Sequence, residues 1–247
     1  MGLHIELEKY RKNLEDMVEG RTRQLARTQD VILDVLAGMT SIRDSETGAH
    51  IKRTTIYSQL LIENLQRLSL PGYEVSDDYA RDIVKSAKLH DIGKVAVPDN
   101  ILLKPARLSK LEFEMIKQHT VYGAQILDDA MEELGETSSF LDVAREIIIA
   151  HHEKWDGRGY PYGIKGEDIP LSGRIMAIAD VYDALISHRP YKPSFPHEEA
   201  VEIILEDTGT HFDPKLVEVS MDVIGRFREI ASKHRDGPQQ PNKQHNS

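Results

Sequence analysis

The sequence predicts an all-α fold, on three observations. Apolar residues recur at three- and four-residue spacing through most of the chain, the period of an amphipathic helix. Strand signal is nearly absent; Lys94–Val97 is too short to start a sheet. Turn-forming residues fall in blocks between the periodic segments, at Pro71-Gly72, Pro98-Asp99-Asn100, Gly157–Gly166, Pro193–Pro196 and Gly209–Pro214. A chain of 247 residues accommodates one domain of about 150–200 residues with an extension. At 40% hydrophobic content it can bury a core.

Residues 3–39 predict one long helix. Leu3, Leu7, Tyr10, Leu14, Val18, Leu25, Ile32, Val35 and Met39 form an apolar stripe with charged flanks. The steps Tyr10–Leu14–Val18 are a stutter in the heptad pattern, and Arg21 and Thr28 weaken the seam. Gly20 is the only Gly or Pro inside the stretch before Gly38. Such a stripe needs an apolar partner. A parallel homodimer through residues 1–39 is expected, with folding back onto its own domain as the alternative. Globular helices are then predicted over 40–69, 76–90, 108–135, 138–152, 171–187, 196–206 and 214–232, so residues 40–232 form one domain. Residues 233–247 lack apolar content and are expected to be disordered. There is no internal repeat.

The chain has no Cys, which excludes disulfides, Cys-bound zinc and Cys-bound iron–sulfur clusters. No apolar run approaches the roughly 18–20 residues of a membrane span. The charged N-terminus (MGLHIELEKYRKNLEDM) is unlike a secretory signal. A cytoplasmic protein, or a cytoplasmic piece of a larger one, is expected. The net charge of −10 opposes non-specific nucleic-acid binding. It does not oppose a small phosphorylated substrate, because two or three divalent cations would add roughly +4 to +6 within a pocket.

Among eleven histidines, some stand in an ordered series with carboxylates: Glu46 and His50, His90-Asp91, His119, His151-His152, and Asp180. Neutral imidazole and carboxylate are the ligands that hard-to-borderline divalent metals choose. One metal takes about three or four protein groups, so the series can build a site for two or three. Each member also has a plainer reading. Glu46 and His50 are i, i+4 on a helix, a spacing common on solvated faces. His90-Asp91 could be a hydrogen-bonded pair at a helix end, with Lys94 one turn on. His119 lies in an amphipathic helix, where a lone histidine is more often packed and satisfied. His151-His152 closes an apolar run and opens a Gly-rich loop, where burial costs desolvation unless something binds. Gly157, Gly159 and Gly163 let that loop approach a pocket closely. Asp180 sits on an apolar helix, bound either to a metal or to a neighbouring helix. Asp183, one turn further, suits an orienting or proton-handling group. Arg189 and Lys192 suit an anionic substrate or a solvated surface.

In this order and these surroundings the chain resembles the HD-GYP family, a branch of the HD-domain metal-dependent phosphohydrolases. The resemblance runs from about Arg43 to Val217 through ETGAHIKR, LHDIGKVAVPDNILLKP, MIKQHTVYGAQIL, AHHEKWDGRGYPYGIKGEDIP, IMAIADVYDALISHRPYK and GTHFDPKLV. Residues 3–39 look like the signalling helices that join input domains to such outputs. The resemblance implies hydrolysis of cyclic di-GMP to pGpG, and often on to GMP. It implies that His50, His90, Asp91 and Asp180 hold a core metal. Asp91 would bridge to a second metal held by His119, His151 and His152, and Glu46 would be a third-metal or extra ligand. Iron or manganese fits the mixed set. Lys94 would bind the scissile phosphate or assist the leaving alkoxide. Asp91 and Asp183 would also serve catalysis, and Arg189 and Lys192 would take the non-scissile phosphate. The loop Gly159-Tyr160-Pro161 has a second family role, contact with diguanylate cyclase domains, against a purely structural one. Two alternatives stay open: a phosphohydrolase of another nucleotide, and a catalytically weak cyclic di-GMP receptor.

Overall fold

The computed structural model describes residues 2–43, 48–135, 138–187 and 194–235. Glu46, Arg189 and Lys192, and most of the tail expected to be disordered, lie outside them. The described residues form α1 (Gly2–Arg43), α2 (Gly48–Leu68), α3 (Asp77–Ser86), α4 (Asp99–Leu102), α5 (Lys110–Lys117), α6 (His119–Leu134), α7 (Ser139–Ala150), α8 (Leu171–Ile186), α9 (His197–Glu206), α10 (Pro214–Met221) and α11 (Ile224–Lys233). Two 3-10 turns, Ala87–Leu89 and Ile92–Ala96, lie between α3 and α4. Among the described residues the only pairing of strand type is an isolated bridge between Thr208 and Phe212. The all-α expectation holds.

Several helices start where the sequence supplies a cap. Ser76 accepts from the Tyr79 N–H at the start of α3. Ser109 and Glu112 form a capping box on α5. Asp213 caps α10, with Pro214 at its first position. Gly135 closes α6 in the left-handed region. The stretch expected as one helix over 108–135 is two, α5 and α6, meeting at Gln118. His119 therefore stands at a helix start, not within a continuous face.

α8 runs through the middle. Ile175, Met176, Ile178, Ala179 and Tyr182 are buried against Tyr57, Leu61 and Leu65 of α2 and Ile147 of α7. The Tyr57 ring stacks on Phe227 at 4.4 Å and meets Tyr182 edge-on at 5.3 Å. α7 in turn packs on α3 and α6.

α1 continues past the expected end at residue 39 to Arg43, and its two halves differ. Residues 6–25 are exposed throughout. From Leu33 one face is buried on the domain, through Leu33, Ala37, Thr40 and Ser41. The stripe residues Ile32, Val35 and Met39 remain 52%, 55% and 63% exposed. The helix thus docks with one face and leaves the heptad face open.

The turn carrying His90-Asp91 presses on α6 at Gly93. A Cβ there would lie 1.9 Å from the His119 carbonyl oxygen and 2.4 Å from the Gly123 nitrogen. Backbone atoms cannot yield as a side-chain end can. Gly93→Ala is expected to destabilise the domain by about 3 kcal/mol or more, measured as a lower midpoint in urea unfolding. A variant as stable as the parent would show that the turn does not pack so tightly.

Candidate metal centre

His90 and Asp91 sit at the junction of the two 3-10 turns, not on an α-helix. Asp91 takes φ −105° and ψ 11°, outside the helical basin. Neighbouring side chains, which would diverge by about 100° on an α-helix, are thereby turned to the same space. His90 Nε2 lies 3.2 Å from Asp91 Oδ2. α6 brings its first residue to the other oxygen: His119 Nε2 is 3.2 Å from Asp91 Oδ1. The residue after α7 adds His151 Nε2 at 3.8 Å from that same oxygen. α2 and α8 supply the opposite side, with His50 Nε2 3.7 Å and His90 Nε2 4.0 Å from Asp180 Oδ1.

The ligand-type atoms fall in two groups. Asp91, His119, His151 and His152 form one, and His50, His90 and Asp180 the other; within each, the atoms lie within 4.8 Å of one another. Asp91 stands between, one oxygen toward each. Lys94 Nζ lies 2.7 Å from Asp91 Oδ2. The structure thus brings together His50, His90, Asp91, Lys94, His119, His151, His152 and Asp180 from the sequence-predicted set. Glu46, Arg189 and Lys192 lie outside the described residues.

Four of the five imidazoles share one arrangement. Each Nδ1 is engaged on the outer side: His90 with the Ala87 carbonyl at 2.8 Å, His119 with the Ile116 carbonyl at 2.8 Å, and His151 with the Ile147 and Ile148 carbonyls at 3.0 Å. His50 Nδ1 meets Asp183 Oδ2 at 2.8 Å. A carbonyl can only accept, so Nδ1 carries the proton and Nε2 presents a lone pair inward. Among the described residues, the buried Nε2 atoms of His90, His119 and His151 and Oδ1 of Asp91 have no hydrogen-bond partner. Buried acceptors left in this state are costly. Their convergence on one space is the pattern of ligands aimed at cations, so the residues fit divalent metals.

The electrostatics of His151 and His152 agree. Burial, then the neighbouring imidazoles, depress His151 to about 3 and His152 well below the usual histidine range. Both are neutral, the form that ligates metal. Burial opposes charge on Asp91, but the Lys94 ammonium beside it outweighs that and holds the carboxyl well below its ordinary range.

Asp183 stands behind His50. It is fully buried and accepts from His50, from Arg53 Nε at 2.6 Å and Nη2 at 2.8 Å, and from Ser187. Of the two roles its spacing allowed, orienting His50 is the one these contacts serve. Arg53, only 2% exposed, was not singled out in the sequence. Its signal was the matching spacing of His50 with Arg53 and of Asp180 with Asp183, each one helical turn apart. Glu153, also 2% exposed, was missed as well. It accepts from the backbone N–H of Tyr162 at 2.7 Å and Gly163 at 3.1 Å, folding the glycine-rich loop back on itself. Gly159 faces that fold, where a Cβ would lie 2.3 Å from the Lys154 nitrogen. The Tyr160 ring then lies against His152, tilted by 31° at 4.7 Å.

The chain is similar to proteins of known activity. It is 48% identical over 221 residues to a cyclic di-GMP phosphodiesterase of Vibrio cholerae, covering 90% of this chain and 45% of that protein. It is 38% identical to a cyclic di-GMP phosphodiesterase of Thermotoga maritima, covering 83% of this chain and 52% of that protein. A 3'3'-cGAMP-specific phosphodiesterase of Vibrio cholerae is 41% identical, over 83% of this chain and 37% of that protein. The chain therefore spans about half the length, or less, of these curated relatives. Among solved structures, an HDG"Y"P protein of Bdellovibrio bacteriovorus shares the fold, with TM-score 0.51 at 20% identity over 72% of this chain and 54% of that one. The HD domain family matches residues 44–216, and these residues carry all the converging ligands, so the chain belongs to the HD domain family, with the motifs of its HD-GYP branch.

Proposed function

We propose that this chain is a metal-dependent phosphodiesterase that hydrolyses cyclic di-GMP to pGpG, with GMP as the further product. The observation that carries this is Asp91, whose two oxygens face two separate groups of ligands. A bridging carboxylate is what a paired-cation site for phosphodiester hydrolysis needs. The names of the relatives supply the nucleotide. The activity belongs in the cytoplasm, where a nucleotide second messenger acts.

His50, His90, Asp91 and Asp180 would hold one divalent ion, and Asp91, His119, His151 and His152 a second. Glu46 would add a third-ion or extra ligand. Iron or manganese suits this mixture of imidazole and carboxylate. Bound ions would neutralise the diester and lower the pKa of a water held in line with the leaving oxygen. Asp183 keeps His50 in the tautomer that presents Nε2 inward. Lys94, beside Asp91, is placed to meet the scissile phosphate or the departing alkoxide. Arg189 and Lys192 would hold the non-scissile phosphate. The 3'3'-cGAMP-specific relatives favour a hybrid cyclic dinucleotide as the alternative substrate. Contact of the Tyr160 loop with a diguanylate cyclase domain remains a proposed second role, and the exposed Tyr162 ring gives it a surface.

A homodimer through α1 belongs to the same proposal. The heptad face at Leu25, Ile32 and Met39 is open, at 66%, 52% and 63% exposure, although the docked face beside it is buried. A second copy of the helix satisfies that stripe.

Anaerobically purified, metal-loaded protein incubated with cyclic di-GMP and with 3'3'-cGAMP is expected to release pGpG from the first and to act more slowly on the second. Asp91→Ala should abolish turnover and lower metal content together, because one carboxylate serves both ions; wild-type turnover in that variant excludes the bridging role. Arg189→Ala and Lys192→Ala should each weaken cyclic di-GMP binding about tenfold or more with metal content unchanged, and unchanged affinity in both would remove them from the substrate. By analytical ultracentrifugation the full chain should be a dimer and a chain starting near Thr40 a monomer. A dimer that survives truncation rules out α1 as the assembly element.

A further inference from the structure

We propose that Arg43, the last residue of α1, is a positioning residue for the turn that carries Asp91 and Lys94. Its guanidinium donates to the Val95 carbonyl through Nη1 and to the Val97 carbonyl through Nη2 at 2.9 Å. Nε donates to Asp99 Oδ1 at 3.0 Å. These acceptors belong to one hydrogen-bonded run. Lys94 N–H donates to the Asp91 carbonyl at 2.9 Å, and Val97 N–H to the Lys94 carbonyl at 3.1 Å. Gripping the carbonyls at 95 and 97 therefore fixes the far end of the segment whose near end is Asp91. A planar fork with several fixed donors suits two carbonyls and a carboxylate at once, and Lys cannot reproduce it.

The rest of α1 holds the same segment from the other side. Lys85 pairs with Asp30 at 3.2 Å and Lys88 pairs with Asp34. Leu33 packs against Leu89. Ala37 and Thr40 lie across a narrow crevice from His90 and Asp91. The helix thus spans the His90-Asp91 pair, with ion pairs before it and the Arg43 fork after it. Any change in the setting of α1 reaches Asp91 and Lys94 through contacts one residue type deep. All three of its nitrogens are engaged by the protein's own carbonyls and carboxylate, so Arg43 acts through the turn.

The inference rests on the phosphodiesterase proposal, and two probes keep the two separable. Mn2+ binding is measured by titration, without turnover. Turnover is measured on cyclic di-GMP and on bis(p-nitrophenyl) phosphate at saturating Mn2+. In Arg43→Ala the Mn2+ affinity is expected to fall about tenfold and kcat by about 10- to 100-fold on an active substrate, with KM changed less than about twofold. Added guanidinium ion should restore part of both losses. Arg43→Lys, which keeps the charge but gathers its donors on a single nitrogen, guards against a variant that does not fold; it should stay folded by circular dichroism and show the same losses in smaller measure. Unaltered Mn2+ affinity in a folded Arg43 variant overturns the proposal whatever the substrate turns out to be. A loss confined to KM overturns it too, by moving Arg43 to the substrate. Wild-type protein that binds Mn2+ but leaves cyclic di-GMP intact would overturn the substrate assignment alone.

Discussion

A carboxylate buried among imidazoles is the constraint on which the rest of this molecule depends. Asp91 must keep its charge out of water, which is tolerable only with cations or donors on both oxygens. Five segments of chain are brought together to meet it: α2, the paired 3-10 turns, the start of α6, the end of α7, and α8. The imidazoles are held from outside by backbone carbonyls and Asp183, so their inward nitrogens are left to the centre. The core of Tyr57, Tyr182 and Phe227 is the scaffold that lets α2 and α8 present His50 and Asp180 at the correct distance.

Much of this was legible in sequence because it is local. Helix periods and the turn blocks depend on residues a few positions apart. The converging histidines were legible as a series through their order and the motifs around them, although the helix start at His119 was not, since one helix was expected over 108–135. What could not be read is pairing across long separations. Asp183 and Arg53 are 130 residues apart, and nothing near either one names the other. The conformation of His90-Asp91 was also hidden: a helix was expected to run to residue 90, but a 3-10 turn replaces its end and a second follows. Gly93 permits that change by letting the turn reach the α6 backbone.

α1 shows a different limit. Its stripe correctly marked an apolar face but hid a second contact face, because Leu33, Ala37, Thr40 and Ser41 mix apolar and polar types. Periodicity reports only the more hydrophobic of two faces. One helix can therefore bind its own domain and still display a heptad seam, since the two faces lie on different sides of the same cylinder.

Arg53 has one more bond, from Nη1 to the His234 carbonyl at 2.7 Å, across 181 residues. That bond has a consequence for the order of assembly. The chain emerges from the ribosome N-terminus first, so His50 is synthesised long before the residue that helps to fix the arginine behind it. Local helices such as α2 can form early, but a contact of this sequence separation pays loop closure before it returns anything. The native setting of Arg53, and through Asp183 that of the first histidine of the site, is completed only after residue 234 has left the exit tunnel. Until then the arginine behind His50 is held by Asp183 and Ser187 without the His234 bond.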